Sequence, residues 1–381
     1  WTEDLDLGRR FGKNNEWGIR VNAHNEDGGL SIKDADVRDK SIYINLDHQD
    51  AKSMTNIFGG YYDWKVNGGQ RWLSASGVTK GNLAEAPDGK TDLSFDGQTK
   101  YNHGMLFTLN HIQKFSDKWS GFINGGYGHY SEHKNDPNSG SLTLGDNGKL
   151  SGKFRDYVSD SKSSYWQVGV SNKAAIGNVK NDLSFAVDYF MYKSKAVNSG
   201  SAAGQATIGG DLWNGVHIIG TPIAAADIDS VGYSKEYAYA ATLADRFEFG
   251  KASLYAALQY RDTETESASG AKVSKDSLNP TFAIAYKPVE NLSVYASYAQ
   301  SYTKAVEVSK SYDNAGEIFK PIKNKQTEVG IKYRGGEILH SLAFFELNQG
   351  SYIKEDNPGG KIGEIYTQNG ENKFKGVSNT L

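Results

Sequence analysis

Apolar and polar residues alternate with a period of two through much of the chain. In residues 183–192, Leu183, Phe185, Val187, Tyr189 and Met191 share one face, and Ser184, Ala186, Asp188, Phe190 and Tyr192 share the other. Strict alternation over this length predicts a strand, because a helix repeats its apolar positions every three to four residues. Trp17, Ile19, Val21 and Ala23 alternate in the same way with Arg20, Asn22 and His24. So do Leu254, Ala256, Leu258 and Tyr260 with Tyr255, Gln259 and Arg261, and Thr327, Val329, Ile331 and Tyr333 with Glu328, Gly330 and Lys332.

The connections between these ribbons are more telling. Short turns fall near 13–16, 48–53, 116–118, 175–180, 249–251, 289–291 and 335–337. Long polar connections fall near 25–39, 65–101, 131–161, 193–234, 262–277, 304–323 and 350–363. The two kinds alternate without a break, which predicts an all-β, antiparallel up-and-down meander with one plain end and one elaborated end. A soluble sandwich mixes its loop lengths between ends, and long structureless loops are uncommon in compact domains. Transmembrane β-barrels have short turns on one side and long loops on the other. The expected fold is therefore a partial barrel of about fifteen strands belonging to a larger one, since single-chain bacterial barrels close on even numbers. Residues 379–381 read as the start of a further strand. Residues 1–381 are expected to form one barrel domain, with long extracellular loops near 65–101, 131–161 and 193–234. A sheet cut from such a barrel exposes apolar ribbons and unpaired edges, and is not expected to be a water-soluble domain.

Composition agrees with this reading. No run approaches the roughly 20 apolar residues of a helical membrane span. Tyr (23) and Gly (43) are abundant and Pro (7) is scarce; Tyr and Trp suit a membrane interface, where one end of the ring is wet. Cys is absent and the net charge is only −3, which offers nothing to nucleic acid.

Several stretches resemble TonB-dependent siderophore receptors. DLGRRFG (6–12) with EWGIRVNAHNEDG (16–28) resembles the first barrel strands after the family's plug. NPTFAIAYKPVENLSVYASYAQSYT (279–303) and NAGEIFKPIKNKQTEVGIKY (314–333) resemble its later hairpins, and SLAFFELNQGSYI (341–353) and NGENKFKGV (369–377) the next one. Ser378 stands where the family commonly has Glu. The resemblance implies a 22-stranded Gram-negative outer-membrane barrel surrounded by lipid and lipopolysaccharide. It implies a transported ferric siderophore rather than a covalently bound cofactor, and energy delivered by TonB and the inner-membrane complex through a plug that this stretch does not include.

No catalytic constellation stands out. There is no G-x-S-x-G and no P-loop. The glycines of the stretches at 125–130 and 200–210 open no predicted helix, so they read as strand and loop glycines. His129 and His133 are spaced as H-x3-H without a carboxylate clearly placed to complete a metal site. Aromatic residues near the loop end form the ligand-binding candidates: Tyr62, Trp64, Trp72, Tyr127, Tyr130, Phe190, Tyr192 and Trp213. Rigid aromatic walls suit a bulky ferric siderophore, whereas the plain alternative for each is the aromatic girdle or loop packing. Glu328, Lys332, Glu346 and Arg261 are expected to face the lumen, either bracing the wall or gripping a plug. A passive porin or adhesion barrel remains the competing function, with an outer-membrane lipase behind it. The aromatic mouth and the near balance of Lys and Asp in the loops favour a hydroxamate ligand over a strongly anionic catecholate complex.

Overall fold

In the computed structural model, described for residues 1–70, 72–303 and 306–380, the alternating ribbons are strands. In chain order they are β1 (Thr2–Phe11), β2 (Trp17–Gly29), β3 (Asp36–Gln49), β4 (Ser53–Asn67), β5 (Leu73–Gly77), β6 (Thr99–Lys114) and β7 (Trp119–Pro137). Next come β8 (Leu142–Gly145), β9 (Lys149–Ile176), β10 (Val179–Asn198), β11 (Thr207–Asp211), β12 (Gly215–Ile219), β13 (Ser234–Phe249) and β14 (Ala252–Glu266). The last are β15 (Lys272–Val289), β16 (Leu292–Tyr302), β17 (Val306–Glu307), β18 (Ile318–Phe319), β19 (Lys323–Gly335), β20 (Ile338–Asp356) and β21 (Glu364–Thr380). The main sheet has 19 strands among the described residues. Four of them (β5, β8, β11 and β12) are short loop strands, leaving the expected fifteen in the wall.

Each wall strand pairs antiparallel with the next wall strand along the chain. The meander is unbroken and is not closed: among the described residues β1 pairs only with β2, and β21 only with β20. Tight turns join β9 to β10, β13 to β14 and β19 to β20, where Gly177, Gly250 and Gly336 take φ near +58°. Glycine reaches that region without the clash a side chain would suffer.

The pleat sorts the wall into two faces. Ile19 lies opposite Leu46, Phe185 opposite Val170 and Leu243, and Leu254 opposite Phe247 and Ile284. These side chains form an apolar outer belt with no protein against it; Val187, within it, is 47% exposed. Aromatic rings edge the belt at both ends. Phe11 stacks on Trp17 (6.3 Å), and the tilted ring of His48 lies 4.5 Å from Trp17, at the turn end. Tyr189 lies 5.2 Å from Tyr239 at the loop end. The other face is polar and cross-braced: Arg20 binds Asp6, Arg10 binds Asp47 (2.8 Å) and His24 binds Asp4 (2.7 Å). Such a layer in water would expose a long apolar patch, whereas in a bilayer each face meets its own solvent.

Two expectations are corrected. The connections near 25–39, 131–161 and 262–277 are mostly strand and that near 350–363 is half strand, because β2/β3, β7/β9, β14/β15 and β20/β21 continue as hairpins beyond the belt. Glu328, Lys332 and Arg261 do share the polar face, but Glu346 lies opposite Thr327 on the outer face, one pair beyond Phe344 and Val329. There it binds Lys373 (2.8 Å) and Lys375 (3.2 Å). Leu381, Arg71, Lys304 and Ala305 lie outside the described residues.

The most deeply buried apolar cluster is in the loops rather than the wall. Leu93, Phe95, Leu142, Leu150, Phe154, Ile208 and Leu212 pack together. β5 pairs parallel with β8, β8 antiparallel with β9, and β11 with both β9 and β12. The connections within 65–101, 131–161 and 193–234 thus form one small cap with its own core.

Candidate ligand-binding mouth

Beyond the belt, the polar face carries an aromatic strip running from β4 to β10. Tyr62 and Trp64 project from β4 on the face opposite Tyr61. Gly104 on β6 makes room for Tyr62: a Cβ there would sit 2.8 Å from the Tyr62 ring and from the His129 carbonyl oxygen. Directly across from Gly104 is Tyr130 on β7, whose hydroxyl donates to Asn102 Oδ1 (3.1 Å). Burial, with the Glu132 charge close by, pushes the Tyr130 phenol up to about 12. It therefore stays a neutral donor at physiological pH.

Glu132 is itself buried and is balanced by Lys134 (2.9 Å) and Lys100 (3.7 Å). Lys100 also lies 5.5 Å over the Trp64 ring, and Lys134 4.9 Å over Tyr157. The strip is thus knitted by cation–π and ion-pair contacts whose charges balance locally to within one unit. Tyr130, Glu132, Tyr157 and Tyr192 line a cavity of about 580 Å³, which is within the size range of small-molecule sites. A neighbouring recess of about 210 Å³ is lined by Glu236, Gln259, Arg261, Thr263 and Lys275.

The structure therefore brings Tyr62, Trp64, Tyr130 and Tyr192 onto one face, with Phe190 two residues below Tyr192 on β10. Trp72 and Trp213 sit apart, on the cap. Trp72 is 77% exposed, and Trp213 packs over Gly148, where a Cβ would lie 2.6 Å from the ring. Tyr127 departs from expectation. It pairs with Phe107 and Ser164 on the outer face and belongs to the girdle, because 127 and 130 are an odd number of steps apart and so lie on opposite faces. Sequence reading missed Tyr157, Glu132 and Glu236. The usable signal for Tyr157 was parity, since it continues the Tyr165, Ser163, Ser161, Ser159 series down β9.

His129 and His133 face outward and hydrogen-bond Asp160 (2.5 Å) and Asp156 (2.8 Å). The same carboxylates hold the 199–233 connection through the Tyr233 hydroxyl (2.6 Å) and the Ala225 amide (3.0 Å). Among the described residues no group of three or more His, Cys, Asp or Glu is arranged to hold a metal ion.

A meander with a lipid-facing belt, plain turns at one end and a capped aromatic mouth at the other defines the wall of an outer-membrane-type barrel. The family model "TonB dependent receptor-like, beta-barrel" matches residues 34–380, and the chain belongs to that family of Gram-negative outer-membrane transport receptors. It is 25% identical over 370 residues to the ferrichrome receptor FcuA of Yersinia enterocolitica, covering 91% of this chain and 46% of that protein. It is 26% identical over 135 residues to the ferrioxamine B receptor of Salmonella typhimurium, covering 35% and 18%. The chain thus spans less than half the length of these relatives. Among solved structures it is similar to BauA, the ferric preacinetobactin receptor of Acinetobacter baumannii. That likeness has a TM-score of 0.82 at 22% identity and covers 99% of this chain and 56% of that one.

Proposed function

We propose that this chain is the barrel portion of a receptor that binds a ferric siderophore at its outer mouth and imports it with energy delivered through TonB. The observation that carries the reading is the aromatic strip of Tyr62, Trp64, Tyr130, Phe190 and Tyr192, beside a cavity of about 580 Å³ at the loop-bearing end of the polar face. In this reading residues 1–381 form one barrel domain, and the loops near 65–101, 131–161 and 193–234 are extracellular. Trp72 and Trp213 on the cap meet the ligand first, and a plug within the lumen transmits the pull of the inner-membrane complex. Lipid and lipopolysaccharide surround the belt. The chain needs no catalytic group for this work.

A hydroxamate-type ligand is favoured. Three hydroxamates neutralise ferric iron, so the complex suits a strip whose charges nearly cancel. A triscatecholate complex is strongly anionic and calls for a cluster of cations. The ferrichrome and ferrioxamine B receptors among the relatives support the same class. Growth rescue of an iron-starved host by a panel of ferric siderophores tests the proposal, with rescue by hydroxamates expected. Rescue by catecholates alone overturns the ligand class. Steady ion conductance of the intact protein in a planar bilayer replaces the receptor reading with a porin.

A further inference from the structure

The cavity at the mouth has a side that the wall strands leave open. β10 pairs with β9 as far as Asn198, opposite Tyr157, but with β13 only as far as Ser194. The connection returning to β13 fills the gap beside residues 195–198. Its last stretch, residues 220–233, runs as a strap with one 3-10 turn, Ile228–Ser230, capped by Asp227. Val231 and Gly232 of the strap line the cavity of about 580 Å³ together with Tyr130, Tyr157 and Tyr192. At Gly232 the strap presses on the tip of the β14–β15 hairpin: a Cβ there would lie 2.8 Å from the Ala268 carbonyl oxygen. A side chain at that seam would force the two apart.

The strap is held from the other side of the wall. Tyr233 donates its hydroxyl to Asp160 Oδ1 (2.6 Å), and Ala225 its amide to Asp156 Oδ2 (3.0 Å). Both carboxylates belong to β9 and pair by parity with Ser131 and Asn135 on the outer face. The second oxygen of each is engaged by a histidine of β7, His129 (2.5 Å) and His133 (2.8 Å). A carboxylate held at both oxygens cannot turn away, so each histidine fixes the direction in which the strap is pulled. The Lys195 and Lys162 ammonium groups lie over the Tyr233 ring at 4.9 and 5.6 Å, and Lys195 also binds Asp229 of the strap (2.6 Å). Desolvation raises the Asp160 carboxyl, but the Tyr233 and His129 hydrogen bonds and the neighbouring cations outweigh it and hold the carboxyl below its ordinary value of 3.8. It is thus an anionic acceptor at neutral pH, and its hydrogen bonds are of the stronger, charge-assisted kind.

We propose that Asp160 and Asp156, backed by His129 and His133, are positioning residues for the ligand cavity. Asp160 also borders the cavity, but both of its oxygens are engaged by Tyr233 and His129. The two carboxylates act on the ligand through the strap: they hold it from the outer face, and it holds Val231 and Gly232 across the open side. The inference rests on the ligand reading above. A side wall fixed in advance encloses the ferric complex without an ordering cost on binding, whereas a loose one lets the complex leave sideways.

The test uses the intact purified receptor with a panel of ferric siderophores that includes a trihydroxamate. Binding affinity and dissociation rate are read with ligand. Hydrogen exchange is read without ligand at the Ala225 and Ser230 amides, both hydrogen-bonded in the strap. Tyr233→Phe keeps the ring and removes only the hydroxyl. It should speed exchange at both amides by about tenfold and weaken binding by about fivefold or more, mainly through faster dissociation, with exchange in β14 unchanged. Asp160→Asn, whose amide oxygen still accepts from Tyr233, should lose less affinity than Asp160→Ala. Gly232→Ala should weaken binding with the carboxylates untouched. Faster exchange in Tyr233→Phe at unchanged affinity overturns the positioning role, because the strap is then pinned without shaping the site. Unchanged exchange overturns the pin itself. Failure of the wild type to bind any siderophore of the panel overturns the receptor reading instead, and strap exchange, which needs no ligand, tells the two failures apart.

Discussion

At the scale of single residues, function depends on which face of the pleat a side chain occupies, and one position reverses it. Tyr127 and Tyr130 are three residues apart, yet one borders lipid and the other borders the cavity. Tyr192→Ala should therefore weaken ferric-siderophore binding by about tenfold or more, as loss of a central aromatic anchor does. Tyr127→Ala should leave affinity within about twofold; titration of intrinsic fluorescence separates the two. Equal losses at both positions would remove the distinction between mouth and girdle. Parity made Phe190 and Tyr192 legible in the sequence, because Leu183, Phe185, Val187 and Met191 mark the other side of β10 as the apolar one; Tyr62 and Trp64 were legible only from their place at a strand end, since β4 has apolar residues on both faces. Parity failed at Glu346, where Phe344 and Phe345 are apolar on both faces of β20. Only the pairing of Val329 with Phe344 fixes which face is outward.

At the scale of elements, the strands within the belt were legible and their extensions were not. Alternation arises where one face meets lipid and the other water. Above the belt both faces are wet, so β7 and β9 continue through polar sequence that reads as loop. The cap was illegible for another reason: its core is assembled from three connections far apart in sequence. A second loop assembly joins the 303–322 connection to the tip of β20–β21. Asp313 accepts from the Ile362 amide (2.8 Å), the Gly363 amide (3.1 Å) and Asn357 Nδ2 (3.0 Å). Next to it Tyr312 stacks on Tyr366 at 4.9 Å. The Ile362 amide, together with the other donors, holds the Asp313 carboxyl below its ordinary value of 3.8 against the opposing effect of desolvation. A depressed folded value means that the clip is at full strength above the ordinary value and is lost as pH falls through the depressed one. Hydrogen exchange at Ile362 and Gly363 should thus be slow at neutral pH and rise below about pH 4, relative to β14. Asp313→Ala should show the fast exchange, about tenfold or more, already at neutral pH. If the two amides stay protected in the variant, the carboxylate is not what holds the tip.

At the scale of the whole molecule, stability depends on two solvents meeting one sheet. The outer belt gains from lipid, the inner face from water and its ion pairs, and neither face alone could hold the meander in a single solvent. A charge should therefore be judged by face and depth rather than by strand. Val187 sits on the outer face midway along β10, opposite Val168 and Ala241. Ser184, three residues away, faces the polar interior, with its hydroxyl directed at the Ala244 carbonyl. Val187→Arg places a guanidinium inside the apolar belt, one outer-face position from the Tyr189 ring that edges it, and should cost about 1–3 kcal/mol of folding stability in lipid vesicles. Ser184→Arg keeps its charge among water and polar neighbours and should cost well under half of that. Denaturant unfolding of the intact receptor in vesicles measures both. A soluble packing that buried the same ribbons against protein would also reject Val187→Arg, but it would reject it equally in water and detergent. A penalty that follows bilayer thickness identifies lipid as the medium against which the belt is built, and one indifferent to thickness would count against a membrane-spanning wall.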